Sequence, residues 1–509
     1  MLGPYPRLSD LPYQEPSLCW RKPVWERHGC ALDWEVRNID DMLVAEQNET
    51  AAYQSTHIPM TGDAVATQTR TAQEAFPEDE LAGFSSDFAK AYKQVPGAPQ
   101  QAECTVLAQW SPPHRQIMFW IAMSLLFGGR LAPLGFARYP ALIILLTAVL
   151  FALGFQHCVD DLLCVERKST ADGAHQVWMR FTKLLGWDVP FNKSPYPSQC
   201  FIVVGIQLDL APFPLEPAEI SITELRLESL EEALQGVAQT QRLTPAFASK
   251  LYGRLNFACM QMWGRTGRAQ LRAILRRSYE RRSTYNMQIA TAVAWWLAFL
   301  RDYRPRPVPL VLRTERAVVT YSDGEGTDAG VGIAIWHDDD RPRAAYLSVH
   351  TEIRRAWSAQ RALQLQSEEF SDIFCVEAVG PLAIITTWPQ LLRGRLWLHF
   401  IDNTSAQCAL VRGASSVHAG DVIVGHTWMA IAREASHFWC DRVCSKSNPI
   451  DGVSRRRWEG PWACIEPAKL PNAMLTDLSA FRRLSRSFDG ASEGTPSAAF
   501  KSTSMLFSR

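Results

Sequence analysis

Phe155-Gln156-His157-Cys158-Val159-Asp160-Asp161-Leu162-Leu163-Cys164-Val165 sets two adjacent aspartates between two apolar runs. Both flanks are rich in strand-forming residues, so the stretch predicts a tight β-hairpin with the acids at its tip. Neighbouring carboxylates repel each other once partly buried, and a hard divalent cation removes that repulsion. An Asp-Asp pair is equally at home in an ordinary surface turn. The hairpin alone leaves both readings open.

Upstream, Asp87 closes a short strand, Phe84-Ser85-Ser86-Asp87-Phe88, and is followed by Ala91-Tyr92. Two-metal nucleotidyl transfer needs carboxylates from separate strands to hold cations about 3.5–4 Å apart. Asp87 with Asp160 and Asp161 supplies such a set.

The 509 residues leave room for roughly three or four domains. Hydrophobic content of 47% and charged content of 20% exclude a disordered chain. Net charge is +0, so only its distribution speaks of partners. Acids dominate from Asp33 to Asp87, and bases from Arg254 to Arg306. That basic run, with Arg254, Arg265, Arg268, Arg272, Arg276, Arg277, Arg281 and Arg282, reads either as a tracker of phosphate backbone or as a solvated helix face. The 12 cysteines form no Cys-x-x-Cys pair, and no secretory signal opens the chain. Reduced thiols in an intracellular protein, cytoplasmic or nuclear, are the simplest reading. His437, Cys440 and Cys444 match no standard zinc spacing. The apolar run Ala141–Phe155 is short of the roughly 20 residues a bilayer needs, so a buried core helix is expected and no membrane partner.

Residues 1–80 read as irregular. An α+β unit follows, with strands ending at Asp87, over Gln116–Leu126 and over Cys200–Leu208, and helices over Pro133–Val149 and Ala174–Leu185. Ile222–Arg282 is helical by period, with Thr244-Pro245 a helix start, and Met287–Leu300 is one more helix. A second α/β unit begins at Ala317. Its strands are Val318–Ser322, Gly330–Trp336, Arg395–Ile401 and His437–Val443. Its helices are Ser371–Ile385, Ser405–Val411 and Val422–Ala435. Asp477–Arg509 reads as a disordered tail.

The second unit carries its own acids. Asp323 ends a strand, with Asp328 competing for its place in the same turn. Glu377 stands alone in the apolar stretch Ile373–Val379, which is costly unless it is paired or coordinating. Asp402 ends the strand Leu396–Ile401, and Asp451 follows Asn448-Pro449-Ile450. Acids at strand ends and on one helix can converge on one pair of metals.

The ordered strings Asp87-x-x-x-Ala91-Tyr92, Phe127-Gly128 with Ala132-Pro133-x-x-Phe136, Val159-Asp160-Asp161, Gly186 with Lys193, and Val204-Gly205-Ile206 resemble the palm motifs of reverse transcriptases. Val36-Arg37-Asn38-Ile39-Asp40-Asp41 and Asn48 resemble the fingers segment. Ile401-Asp402-Asn403 and Asn448-Pro449-Ile450-Asp451-Gly452-Val453-Ser454-Arg455 are similar to the attached RNase H domain. The likeness is to retrotransposon enzymes of the DIRS and long-terminal-repeat type, over about Asp33 to Arg455.

The resemblance implies an α+β multidomain protein: a right-hand polymerase followed by an RNase H-like α/β domain. Partial fingers would span 1–80, the palm 81–215, a helical thumb and connection 216–312, the RNase H-like domain 313–460 and the tail 461–509. Asp87, Asp160 and Asp161 would bind Mg²⁺, as would Asp323, Glu377, Asp402 and Asp451, two ions per site, with Mn²⁺ as a substitute. Arg37 would meet the triphosphate. The Phe88 carbonyl would assist the metals, Tyr92 would lie under the sugar of the incoming deoxynucleoside triphosphate, and Lys193 would protonate the leaving pyrophosphate. The implied partners are an RNA template, a DNA primer and an RNA–DNA hybrid. Cys158 stands where the family has an aromatic, Leu126 where it has proline, and Ile450 where it has alanine. Two other readings stay open: a silent retroelement remnant that binds nucleic acid, and an RNase H-like nuclease whose first half is scaffold.

Overall fold

The computed structural model describes residues 2–12, 18–27, 34–41, 62–126, 131–281, 283, 285–308, 316–338, 341–351, 353–354, 357 and 372–471, with backbone alone for 8, 18–27, 34–41, 101, 103 and 104. Asn48, the Phe127-Gly128 pair, Arg282 and the tail from 472 lie outside the described residues. Helices and sheets are mixed throughout. The chain divides into two compact units: Met1–Glu228 with Met260–Met262 and Arg304–Arg313, and Ser229–Cys259 with Trp263–Tyr303 and Thr314–Arg509.

In the first unit, the described residues of 1–80 are largely regular. They hold β1 (Leu2–Tyr5), β2 (Leu18–Arg27), β3 (Trp34–Asp41) and helix α1 (Gly62–Ala75). With β5 (Val106–Ser111) and β6 (Gln116–Ile121) the strands make a sheet of order β1-β6-β5-β2-β3. The expected strand Gln116–Leu126 thus ends early, at Ile121. Between these elements run β4 (Leu81–Asp87) and the one-turn α2 (Ala91–Gln94).

Helix α3 (Ala132–Phe151) leads into the hairpin β7 (Phe155–Cys158) and β8 (Asp161–Arg167), and α4 (Lys168–Leu184) follows. The three-stranded sheet β4-β8-β7 carries the acids. The Trp178 indole of α4 donates to Ser86 Oγ of β4 at 2.9 Å and packs on Phe155, fixing the back of this sheet.

The expected single strand over Cys200–Leu208 is two, β9 (Cys200–Val203) and β10 (Ile206–Asp209). Val204 and Gly205 both have positive φ, as a two-residue hairpin of the primed type requires. β11 (Glu219–Ile222) and β12 (Arg306–Pro307) complete that sheet.

Helix α3 corrects the expectation of a buried core helix. Its buried residues, Phe136, Ala137, Pro140, Ile143 and Thr147, form one narrow stripe. Leu142, Leu145, Val149 and Leu150 are exposed. Uniform apolarity carries no period, so the sequence does not say which face packs. By length and composition α3 is long and apolar enough to cross a membrane, with 28% of its most apolar window buried.

The stretch expected to be helical resolves into α5 (Glu224–Thr240), α6 (Pro245–Cys259) and α7 (Arg268–Tyr279), followed by α8 (Met287–Arg301). Pro245 opens α6 as expected. In the second unit a six-stranded sheet is built from β13 (Val318–Gly324), β14 (Gly330–Trp336), β15 (Arg343–Ser348), β16 (Leu396–Ile401), β17 (His437–Arg442) and β18 (Ile465–Pro467). Its order is β17-β16-β13-β14-β15-β18, with β13, β16 and β17 mutually parallel and β13, β14 and β15 antiparallel. Helices α9 (Ile373–Thr387), α10 (Thr404–Arg412), α11 (His418–Arg433) and the short α12 (Asp451–Ser454) accompany it. Twelve of the fifteen residues of α9 are buried, which explains why its sequence is apolar on every face apart from Glu377 and the final threonines.

Candidate functional site

The first centre forms because β4 and β8 are antiparallel in one register. Asp87 lies directly opposite Asp161, so two carboxylates share one face of the ladder. Like charges so placed oppose pairing. Asp160 sits beside them in a two-residue turn, since Cys158 pairs with Asp161 across the tip. Val159, the first turn residue, has φ of 59°, a costly conformation for a β-branched side chain. The tip is therefore Val159-Asp160, and Asp161 belongs to the strand.

Burial, then Asp160, then Asp87, push the Asp161 carboxyl up to about 6, while Lys193 opposes the rise. Lys193 Nζ lies 2.5 Å from Asp87 Oδ2. Asp87 Oδ1 is buried and accepts no hydrogen bond. Tyr92, on α2, stacks on Phe136 at 5.0 Å. Burial, then the Asp160 charge, raise its phenol. The Phe88 ring is buried against Phe136, Trp178 and Trp187, so only its backbone can serve the site. Arg37 is in β3, paired with Val24. Cys158 is half-buried against the core under β9 and β10.

The second centre is tighter. Parallel pairing of β13 and β16 sets Ser322 beside Ile401, so the next residues, Asp323 (still paired with Gly332 of β14) and Asp402 (just past the end of β16), come side by side. Helix α9 brings Glu377 to the same point. It approaches closely because Gly380 and Gly324 lack side chains: a Cβ on Gly380 would meet Ser322 Oγ at 2.3 Å, and one on Gly324 would meet Glu377 Cγ at 3.1 Å. Asp323, Glu377 and Asp402 each offer an oxygen within 4.8 Å of the others, and among the described residues no other three acids, histidines or cysteines do so.

Burial above all, then Asp323 and Asp402, push the Glu377 carboxyl up to about 9, and the Gly324 N–H, donating at 3.1 Å to Oε2, only partly opposes this. Asp323 rises to about 6, mainly through burial, while a hydrogen bond from Ser454 Oγ holds it down. Asn448 Nδ2 donates to Ser322 O at 3.0 Å and pins the strand end. Asp451 stays outside the three. It takes Arg455 Nη2 at 2.7 Å and acts on Asp323 through its charge. Asp328, the competitor of Asp323 in the sequence, is exposed. Beside this centre lies a cleft of about 510 Å³ lined by Gly324, Asp328, Ile373, Ser454, Arg455 and Arg456 among others.

The acids of the hairpin do not reach the same tightness. Strand register fixes their backbones, but Lys193 already occupies one oxygen of Asp87. Fit to a divalent cation is nevertheless visible at both centres. One has an orphaned buried carboxylate oxygen, and the other has two buried carboxylates and a half-buried third whose mutual repulsion protons or a cation relieve.

The arginine run is largely spent on local contacts. Arg254 donates to Ser229, Arg265 to the Val411 carbonyl and Arg276 to Gln288. Arg272 lies 3.6 Å from Asp421, and Arg277 is buried with Glu280 at 3.1 Å. Trp263 is a packing residue, its indole donating to Ser436 O at 2.6 Å. The sequence reading passed over Gly380 and gave Asn448 and Ser454 no role of their own. A glycine inside an apolar helix, three residues after its lone acid, was the available signal.

No protein-family model matches the chain, and no curated protein matches it significantly. Three similar solved structures are foamy viral protease-reverse transcriptases. One, termed dRH, is in complex with double-stranded DNA, with TM-score 0.44 and 11% identity over 85% of this chain and 66% of that one. Another is bound to an RNA/DNA hybrid, with TM-score 0.45 and 12% identity over 85% and 50%. The third is bound to double-stranded DNA, with TM-score 0.42 and 13% identity over 84% and 78%. The chain thus spans less than two thirds of the length of the first two. At these TM-scores neither fold nor function is inferred from the likeness.

Proposed function

We propose that this chain is an RNA-directed DNA polymerase of a retroelement that also cleaves the RNA of RNA–DNA hybrids. The observation that carries the reading is the register that sets Asp87 opposite Asp161 with Asp160 at the adjoining tip. It is joined by a second carboxylate centre at the ends of β13 and β16, and by the ordered motif strings around both.

In this reading Asp87, Asp160 and Asp161 hold one pair of cations, and Asp323, Glu377, Asp402 and Asp451 the other. Mg²⁺, when bound, neutralises phosphate charge and activates the attacking oxygen. Tyr92, stacked on Phe136, presents a ring under the sugar of an incoming deoxynucleoside triphosphate and excludes a 2′-hydroxyl. Arg37 meets the triphosphate, and Lys193 protonates the leaving pyrophosphate. In the second unit Ser454 and Asn448 hold Asp323, while Gly324 and Gly380 let Glu377 approach. The domain limits 1–80, 81–215, 216–312, 313–460 and 461–509 belong to the same proposal.

One observation favours the nuclease-only reading: the carboxylates converge within 4.8 Å in the second unit and not at the hairpin. Purified full-length protein given an RNA template, a DNA primer, deoxynucleotides and Mg²⁺ separates the two. Extension that disappears in Asp160→Asn supports the polymerase. Absence of extension, with hybrid cleavage that needs Asp402, leaves the nuclease. Binding without either activity leaves a silent remnant.

A further inference from the structure

We propose that Lys193 is a built-in counter-cation of the hairpin centre, its ammonium holding the Asp87 carboxylate so that a divalent ion binds there only as Lys193 withdraws. The proposal rests on the polymerase reading and adds a control to that same site.

Three carboxylates crowd one corner: Asp87 and Asp161 directly opposed, Asp160 at the tip. Lys193 pairs with the first of them, its Nζ 2.5 Å from Asp87 Oδ2. Its charge also acts on Asp161, opposing the repulsion from Asp160 and Asp87. An ammonium is a compact single charge on a flexible stem. Here it leaves Asp87 Oδ1 buried and without a hydrogen bond, so the pairing is incomplete. A divalent ion carries twice the charge and takes several oxygens at once.

The base of the lysine is fixed while its side chain is open to solvent. Lys193 ends a short turn, Phe191–Lys193, and the next residue, Ser194, is buried. Buried His175 holds Ser194 through Nε2, at 2.9 Å from its carbonyl and 3.2 Å from its Oγ. Phe191 and Tyr196 pack on the same imidazole. The Lys193 side chain, by contrast, is 46% exposed. An ion pair that open is weak enough to be displaced. Once displaced, the ammonium stays tethered beside the centre, where a leaving pyrophosphate would need it.

The test reads cation binding directly. Full-length protein carrying Glu377→Gln and Asp402→Asn, which disable the second centre, is titrated with Mn²⁺ while electron paramagnetic resonance reports the free ion. Lys193→Gln is expected to tighten Mn²⁺ binding about five- to tenfold, through loss of the pair and of charge repulsion. Lys193→Arg, which keeps the charge, stays near the parent. Parent-like or weaker binding in Lys193→Gln overturns the proposal. Asp87→Asn separates the two layers. If it abolishes binding while Lys193→Gln changes nothing, the cation site stands and the counter-cation role falls. If it changes nothing in either background, the cation site itself falls.

Discussion

Glu377→Gln gives the most direct test of the second centre, because it removes a charge without removing a shape. Glu377 is 5% exposed, and its carboxyl is raised from an ordinary 4.5 to about 9. Below about 4.5 the folded and unfolded chains both carry the proton, and the side chain costs nothing. Above that pH the unfolded chain releases its proton while the folded chain keeps it. Stability therefore falls as pH rises, by about 1.4 kcal/mol per unit, until the folded carboxyl ionises near 9. At pH 7.5 the accumulated loss is roughly 3–4 kcal/mol.

Glutamine never ionises, and its amide oxygen can still accept from the Gly324 N–H. The variant should match the wild type near pH 4.5 and exceed it by about 3 kcal/mol at pH 7.5 in EDTA, which is roughly 10 °C in the melting of the second unit. Millimolar Mg²⁺ should stabilise the wild type more than the variant, since a cation offsets the same repulsion. Thermal and urea unfolding at several pH values, with and without EDTA, measure all three. A Gln variant that is no more stable than the wild type at pH 7.5 in EDTA would refute the reasoning, as would equal pH slopes.

Ser454→Ala removes the hydrogen bond that holds the Asp323 carboxyl down. Its folded-state value should climb above about 6, so the metal-free variant should lose more stability than the wild type between pH 4 and 7, read as a steeper fall in the urea midpoint. Gly380→Ala forces a Cβ to within 2.3 Å of Ser322 Oγ, pushing α9 off β13. A loss of about 1–3 kcal/mol is expected, with hybrid cleavage reduced because Glu377 moves with the helix. Gly83→Ala sets a Cβ 2.6 Å from the Cys164 carbonyl, inside the sheet that carries Asp87. A similar loss should appear in the unfolding of the first unit, together with slower primer extension.

Much of this was legible where the signal is local. Alternation and flanking turns marked β4, the hairpin, β13, β14 and β16, and β14 lies on the expected Gly330–Trp336. The solitary charge of Glu377 in an apolar run announced the second centre, because burial without partners is so costly. Residues 1–80 failed for the opposite reason. β1 pairs with β6, and β2 pairs not only with the nearby β3 but with β5, many tens of residues downstream, and no period within a window encodes those distant pairings. The strand expected over Cys200–Leu208 failed at Val204-Gly205, where a β-branched residue conceals a left-handed turn. The face of α3 was unreadable because nearly every residue on it is apolar.

The two centres face one problem, excess negative charge at the end of a strand, and meet it differently. At Asp323, Glu377 and Asp402 the Arg455 charge reaches Asp323 but only partly offsets burial and repulsion. Burial and repulsion drive Glu377 and Asp323 to keep protons until a metal replaces them, so the charge of this centre is tied to metal and pH together. At Asp87 and Asp161 a lysine supplies the charge, and the acids need neither deep burial nor close convergence. The first arrangement therefore predicts stability that depends on Mg²⁺. The second predicts a weaker dependence on Mg²⁺, with a cation affinity set by one side chain. Unfolding of the two units followed separately, with and without Mg²⁺, should move the second unit's transition further than the first's. The reverse pattern would mean that Lys193 does not balance the hairpin acids.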